Sequence, residues 1–179
     1  MIFLAGGHLV IFSDEVVGKM TRFVAPPESN LEAGGILLGC HRGPHVEILD
    51  CTVPMRQDRR SRFGFVRRDP GHQRAALAAW QTSGRTVNFV GEWHTHPEEV
   101  PTPSGVDRNT WANEMARRRS DPLVFVIAGS AAVYCGLGYE GRLTKMNVVA
   151  TTPGGTPRAL ISGSKGPRAT TGAAAEGQE

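Results

Sequence analysis

The stretch GEWHTHPEEVPTPSGVD, residues 91–107, decides both the fold and the chemistry of this chain. Within it His94 and His96 are two positions apart, seven residues separate His96 from Ser104, and Asp107 follows three positions later. Two imidazoles and one carboxylate are a typical ligand set of a catalytic zinc ion, which keeps its fourth position for a water molecule. The stretch therefore predicts a mononuclear zinc site suited to hydrolysis.

The spacing of these residues has a structural reason. Residues two apart on a strand point to the same face, so His94 and His96 present their rings side by side. The apolar residues before them favour a strand, and Pro97 ends its pairing. Ser104 suits the N-cap of a helix, which places Asp107 in the first turn. A strand end and a helix start are thus predicted to converge on one ion.

Each half of this pattern also has a simpler structural interpretation. A His-X-His pair on a strand is more often a surface or core feature than a ligand pair, and Ser-X-X-Asp is a common capping pattern. The two together are far more specific, but they lack a general base. The best candidate is Glu32, which opens the apolar, glycine-rich segment at residues 32–39. Because an unpaired carboxylate in a buried strand is costly, Glu32 is predicted to have a functional partner; the alternative is an exposed strand start.

The chain resembles the JAMM/MPN+ zinc metalloproteases in the residues of their signature, which here are Glu32, the HTHP run at 94–97 and the SGVD run at 104–107. Members of that family cleave isopeptide or peptide bonds after ubiquitin and ubiquitin-like proteins. The resemblance covers about residues 8–150. It implies an α/β domain with the MPN fold, which is similar to that of cytidine deaminases: a mixed, curved β-sheet flanked by helices. The GEW before the histidines and Trp111 are most similar to prokaryotic members, particularly the deconjugating protease of bacterial CBASS anti-phage systems.

The resemblance implies a role for each residue of the set. His94, His96 and Asp107 would hold one Zn²⁺ ion. Glu32 would act as the general base, taking a proton from water and passing it to the leaving amine. Ser104 would donate a hydrogen bond to the oxyanion of the tetrahedral intermediate.

Two features depart from the eukaryotic members. Thr95 replaces their usual serine, but it is predicted to point away from the site, where the change is tolerated. The stretch between Asp107 and Leu123 is too short for the long second insertion with which some members grip ubiquitin chains. These departures indicate a different subfamily, not an inactive protein.

The resemblance also implies a substrate class. The expected function is hydrolysis of the bond after the C-terminus of a conjugated protein, with a CBASS cyclic-dinucleotide synthase as that protein. An E1/E2-type conjugation enzyme in the same operon is the expected partner. The alternatives are a processing protease for a ubiquitin-like or sulfur-carrier precursor, and a noncatalytic MPN scaffold or binding module. Scaffold relatives usually lose the metal ligands, which this chain keeps.

Composition favours one catalytic domain with a tail. The 179 residues, 40% of them hydrophobic, can bury one sizeable core. We predict a domain over residues 1–150 and a disordered, low-complexity tail over residues 151–179. The apolar residues 1–5 are too few for a signal or membrane span, which favours the cytoplasm. Three cysteines without a CxxC pair suit a reduced compartment, and nothing positions a base beside any of them.

Local patterns agree with an α/β domain. Strands are predicted at residues 8–12, 37–40, 46–53, immediately before His94, and at 123–128, 132–137 and 143–150. Helices are predicted at residues 13–23, 70–84 and 104–119, with Ser13 and Asp69 as caps of the first two. A basic loop precedes the second helix.

That loop holds six arginines between Arg56 and Arg68, interleaved with Phe63 and Phe65, in a chain of sequence pI about 9.0. Such a run can bind nucleic acid or an acidic protein surface. A net charge of only +3 argues against nonspecific binding of nucleic acid, and most charge runs are solvated. In similar proteins this loop lies near the substrate channel, so Arg67 and Arg68 are predicted to guide the substrate's tail.

Overall fold

The structure, a computed structural model, describes residues 1–24, 31–118 and 120–151. Its strands are β1 (Ile2–Ala5), β2 (His8–Phe12), β3 (Gly34–Arg42), β4 (His45–Cys51), β5 (Arg59–Ser61), β6 (Gly64–Val66), β7 (Asn88–Thr95), β8 (Leu123–Ala128), β9 (Val133–Tyr139), β10 (Arg142–Lys145) and β11 (Asn147–Ala150). Its helices are α1 (Asp14–Thr21), α2 (Gly71–Thr82) and α3 (Gly105–Arg117). The predicted tail lies outside the described residues, apart from Thr151. None of the helices in these ranges combines the length and hydropathy that crossing a bilayer requires.

Nine of the described strands form one mixed sheet in the order β10-β9-β8-β7-β3-β4-β2-β1-β11. The β2–β4 and β7–β8 pairs are parallel, and the other neighbours are antiparallel. This confirms the predicted α/β class with a mixed, curved sheet flanked by helices. β7 and β3 lie side by side in the middle of the sheet, with Gly34 paired to His94. The end of the histidine strand therefore meets the start of the strand that follows Glu32.

Strand β8 shows how the sheet is covered on both faces. Val124 and Val126 pack in the cluster that contains the buried face of α1, whereas Phe125 and Ile127 pack in a second cluster with Trp111 of α3. Successive side chains of a strand point to opposite faces, so α1 and α3 cover opposite sides of the sheet. All six residues of β8 are buried, as expected for a strand packed on both sides.

Several local predictions hold, and the differences have clear causes. Ser13 caps α1 by accepting a hydrogen bond from the Val16 amide, as predicted. The apolar start of the chain forms β1, which the sequence analysis missed because a four-residue strand between β2 and β11 depends on tertiary pairing. The single strand predicted at 143–150 is two strands, broken at the buried Met146. The predicted basic loop is wrong in part, since β5 and β6 form a hairpin within it.

A buried polar network supports the base of that hairpin. The Asp58 carboxylate accepts hydrogen bonds from the amides of Met55, Arg68 and Asp69 and pairs with His72 Nε2 at 2.8 Å. Because the Arg68 and Asp69 amides lie just beyond β6, Asp58 holds the two ends of the hairpin together.

The network continues into the sheet beneath the site. His72 Nδ1 lies 2.6 Å from Thr52 Oγ1, and the Thr52 hydroxyl also accepts a hydrogen bond from the Ile36 amide in β3. The Trp93 indole donates to the Thr52 carbonyl at 2.8 Å. The hairpin, α2 and the two central strands are therefore connected through buried groups.

Replacing Asp58 with asparagine should destabilise the fold by about 3 kcal/mol at neutral pH, because an amide cannot accept from all four donors. Burial alone would raise the pKa of Asp58, but these hydrogen bonds outweigh burial and lower the pKa from 3.8 to about 2. A lowered pKa gives stability that is present above pH 3.8 and is lost as the pH falls toward about 2. The difference in urea unfolding free energy between wild type and Asp58→Asn should therefore shrink between these pH values.

The exposed Asp121 offers a matched control, Asp121→Asn, since among the described residues its carboxylate accepts only a weak hydrogen bond of 3.4 Å from the Ser120 hydroxyl. That variant should unfold like the wild type at every pH. A difference for Asp58→Asn that stays constant down to pH about 2 would contradict the role of the charged carboxylate.

Candidate active site

Three side chains converge at the end of β7 and the start of α3. His94 Nε2 and His96 Nε2 lie 3.1 Å apart, and the Asp107 carboxylate oxygens lie 3.2 Å from His94 Nε2 and 3.4 Å from His96 Nε2. Among the described residues, these three form the one group of at least three His, Cys, Asp or Glu side chains with the spacing to hold a metal ion. The structure thus brings together the ligand residues predicted from sequence.

Strand geometry places the two histidines. His94 is the last but one residue of β7, and the amide of His96 donates to the Ala128 carbonyl as the strand pairing ends. Thr95 points to the opposite side, as predicted, and is buried there. Gly91 adopts a φ of +148° three positions before His94, and a Cβ there would collide with the carbonyl of Val124 on β8. Glycine is therefore required where the central strand approaches its neighbour.

The N-terminus of α3 places the carboxylate. Ser104 is the N-cap, and its side chain accepts a hydrogen bond from the Asp107 amide at 3.2 Å. The Asp107 carboxylate in turn accepts from the Ser104 amide at 2.7 Å and from the Ser104 hydroxyl at 2.6 Å. This capping box fixes the rotamer of Asp107 at the first turn, so the same residues that start the helix orient the carboxylate.

Charge in the cluster is balanced between the imidazoles and carboxylates. Burial alone would raise the pKa of Asp107, but hydrogen bonds from His94, His96 and Ser104 hold this pKa well below its ordinary range. Burial opposes the charged form of His96, yet its contact with Asp107 and the negative charge of Glu32 raise its pKa above the ordinary value. The site thus favours an ionised carboxylate and positive charge next to it, which is the environment a cation ligand set provides.

Glu32 lies in the same cleft, immediately before β3, and only 7% of its surface is exposed. Burial raises the pKa of Glu32, and the positive charge of His94 and His96 opposes this shift. No hydrogen bond reaches its carboxylate from the described residues. A buried carboxylate with a raised pKa beside a candidate metal site has the properties of a general base.

Glu92 connects the site to its surroundings. Its carboxylate accepts a hydrogen bond from the Trp111 indole at 2.9 Å and pairs with Arg67 at 2.9 Å. Trp111 lies one turn after Asp107, and its ring is 6.1 Å from that of His94. Glu92 therefore links its own strand, β7, to α3 through Trp111 and to the residue that follows β6 through Arg67. The one signal in the sequence was its position two residues before His94, on the same strand face.

The site opens into a cleft of about 1310 Å³ between the β5–β6 hairpin and the start of α3. Arg67 lines this cleft, whereas Arg68 does not and is exposed. The hairpin tip carries Phe63, which is 86% exposed, and across the cleft Val106 is 75% exposed. The mouth of the cleft thus presents one exposed apolar side chain on each side.

The competing residues are placed elsewhere. Glu98 Oε2 is 3.9 Å from His96 Nδ1 and accepts a hydrogen bond from the Thr102 amide, so it belongs to the rim. The other histidines, His8, His41, His45 and His72, contact backbone groups or the Asp58 network. Burial raises the pKa of Cys51 to about 12, which disfavours the thiolate that a nucleophile requires.

The sheet order, the two covering helices and the His-His-Asp cluster at the end of the central strand define a JAB/MPN-type α/β domain. Residues 16–138 match the family described as prokaryotic homologs of the JAB domain, and the chain belongs to that family.

Several named proteins are similar in sequence to most of this chain. A protein of Pseudomonas aeruginosa named CD-NTase/cGAS isopeptidase is 43% identical over 127 residues, which cover 70% of this chain and 80% of the relative. A protein of the same name from Escherichia coli is 32% identical over 139 residues, or 78% of this chain and 87% of the relative. A protein of Sinorhizobium fredii named probable metalloprotease y4qB is 25% identical over 65% of this chain and 74% of its own length. These names are those of hydrolases.

A solved structure supports the fold alone. A protein of Desulfitobacterium hafniense, determined in solution, superimposes with a TM-score of 0.54 at 20% identity over 76% of this chain and 88% of that protein.

Proposed function

We propose that the protein is a zinc-dependent isopeptidase that releases a CBASS cyclic-dinucleotide synthase from the proteins to which its C-terminus has been conjugated. The observation that carries the proposal is the convergence of His94, His96 and Asp107 in one cleft with the buried Glu32. The names of the relatives support the isopeptide bond and the synthase as substrate. An E1/E2-type conjugation enzyme of the same operon is the proposed source of the conjugate.

The spacing of the ligand atoms fits zinc. Tetrahedral zinc with bonds of about 2.0 to 2.1 Å has ligand-to-ligand edges of about 3.3 to 3.4 Å. His94 Nε2 lies 3.1 Å from His96 Nε2 and 3.2 Å from Asp107 Oδ1, and His96 Nε2 lies 3.4 Å from Asp107 Oδ2, so each separation is close to such an edge, with the carboxylate facing the two histidines through both of its oxygens. Within the described residues the cluster has no fourth protein ligand, which is the composition of a catalytic zinc site.

Each side chain then has a defined task. Bound zinc supplies Lewis-acid activation of a water molecule and of the scissile carbonyl. Glu32 accepts the proton of the attacking water and delivers it to the leaving amine as the amide C–N bond breaks, and the burial that raises its pKa makes it a stronger base for this exchange. Ser104 turns its hydroxyl from Asp107 to the developing oxyanion, a contribution of roughly 3 kcal/mol. Asp107 keeps the hydrogen bond from the Ser104 amide throughout.

The direct test uses a synthase from the same operon joined through its last residue to a lysine of a target protein. The purified protein should release the intact synthase, with cleavage directly after that residue as determined by intact mass spectrometry. A zinc chelator should stop the release, and added zinc should restore it. A model fusion in which a ubiquitin-like or sulfur-carrier precursor replaces the synthase is the matched control substrate.

Chelator-insensitive release would contradict the zinc mechanism. Cleavage of the precursor in preference to the synthase conjugate would favour the processing alternative, and absence of cleavage of any substrate by the metal-loaded protein would favour a noncatalytic domain.

A further inference from the structure

The main chain at Glu32 is held by the β5–β6 hairpin. The Arg60 guanidinium donates from Nε to the Glu32 carbonyl at 2.8 Å and from Nη2 to the Leu31 carbonyl at 3.1 Å. The Glu32 amide donates to the Ser61 carbonyl at 2.8 Å. Three hydrogen bonds thus attach two consecutive residues, one of them Glu32, to a single strand of the hairpin.

The other side of the same segment is held by the metal-ligand strand. The Ala33 amide donates to Thr95 Oγ1 at 2.9 Å, and the Thr95 amide donates to the Ala33 carbonyl at 2.8 Å. Thr95 is the residue between the two ligand histidines, so this contact fixes Ala33 relative to the metal site. It leaves Leu31 and Glu32 to be fixed by the hairpin.

We propose that Arg60 is a positioning residue for Glu32, and that the cleft-lining hairpin therefore controls the placement of the base. The proposal rests on the proposed function in one respect, the role of Glu32 as the base. No described residue donates a hydrogen bond to the Glu32 carboxylate, so its place in the cleft is set by its main chain. Arg60 is the side chain that binds that main chain directly.

The geometry separates this role from simple attraction of an acidic substrate. The Nε and Nη2 donors of one guanidinium edge form a rigid fork, which suits two neighbouring carbonyls. Lysine carries the same charge but is a single point donor. A role in positioning therefore requires arginine, whereas a role in attraction requires only positive charge.

Placement of a base matters strongly for rate. A displacement of about 1 Å at a reacting group can cost on the order of 10²-fold. Arg60→Ala and Arg60→Lys are both expected to lower kcat by about tenfold to 10²-fold, with KM within about twofold of wild type. Arg56→Ala is the matched control, because Arg56 belongs to the same arginine-rich run, is exposed and does not line the cleft. The kcat of this variant should equal that of wild type.

The decisive readout is independent of activity. Amide hydrogen exchange of the peptide covering residues 31–37 should be faster in both Arg60 variants than in wild type and in Arg56→Ala, while zinc content and melting temperature stay the same. Added guanidinium should restore part of the kcat of Arg60→Ala.

Each other outcome overturns the proposal. Unchanged exchange shows that Arg60 does not hold the segment. A raised KM with unchanged kcat, corrected by Arg60→Lys, shows a role in attracting substrate. Loss of zinc or of the folded state in Arg60→Lys shows a general structural role. If the wild-type protein cleaves no conjugate, the proposed function fails on its own, and the exchange data still decide whether Arg60 anchors Glu32.

Discussion

Replacing Glu32 with glutamine is expected to abolish cleavage and leave the metal in place. Glutamine has nearly the same shape but cannot accept and return a proton, so the rate should fall by roughly 10² to 10⁴-fold, the contribution typical of a positioned acid–base group. Glu32 is not one of the three residues whose ligand atoms converge, so the zinc content per chain should match that of wild type. Single-turnover cleavage of the synthase conjugate and elemental analysis measure the two quantities on the same sample.

Glu99 provides the control for this experiment. It is an exposed carboxylate of the loop between β7 and α3 and does not line the cleft. Glu99→Gln should cleave at the wild-type rate. A Glu32→Gln protein that remains active would assign the proton transfer to another group, and one that loses zinc would make Glu32 part of the ligand set.

Replacing His94 with alanine should remove the metal and, with it, activity. The two ligands that remain, His96 and Asp107, cannot make the three-ligand set of a catalytic zinc site. Zinc content after dialysis is expected to fall from about one ion per chain to a small fraction of that value. The exposed His41, which contacts the Pro122 carbonyl, gives the matched control His41→Ala, which should keep its zinc.

Asp107→Asn is a second variant, which tests whether zinc is lost because a ligand is removed and not because the protein unfolds. Asparagine can still accept the hydrogen bond from the Ser104 amide, so the start of α3 is preserved while the ligand charge is lost. Both variants should be folded by circular dichroism and deficient in zinc. Full zinc occupancy in either variant would exclude the proposed ligand set.

The convergence of His94, His96 and Asp107 was predictable because its geometry is local. Residues two apart on a strand share a face, and a residue three after an N-cap lies in the first turn, so the sequence spacing of His94, His96 and Asp107 already determines most of their arrangement. Glu32 lies 62 residues before His94, and no local rule places it there. It was predicted from its costly position in an apolar segment and from the resemblance to a known family.

The parts that sequence could not predict depend on tertiary contacts. The strands of the β5–β6 hairpin are three residues each, and β5 is composed of two arginines and a serine, so neither propensity nor alternation indicates a strand there. Its pairing is fixed by contacts that are distant in sequence, such as Asp58 with His72 and Arg60 with Glu32. Treated as one charged run, the arginines looked equivalent.

The structure shows that the six arginines between Arg56 and Arg68 are not equivalent. Arg60 binds main-chain carbonyls and Arg67 is paired with Glu92, so both are held by polar contacts within the protein. Arg62 lies over the exposed Phe63 ring at the tip, 5.6 Å from its centroid, and Arg68 is outside the cleft. The prediction that Arg67 and Arg68 guide substrate remains a prediction, and Arg67 has the more direct access.

The attachment of Glu32 to the hairpin constrains how the hairpin of this chain can be exchanged. A hairpin outside the nine-stranded sheet looks like an exchangeable module, in which substitutions alter partner choice and leave the chemistry intact. Here the same strand that lines the cleft also makes the hydrogen bonds to the main chain of Glu32, through Arg60 and Ser61. A hairpin grafted without Arg60 would change the placement of Glu32 together with the lining of the cleft, so the arginine fork has to be kept in any graft.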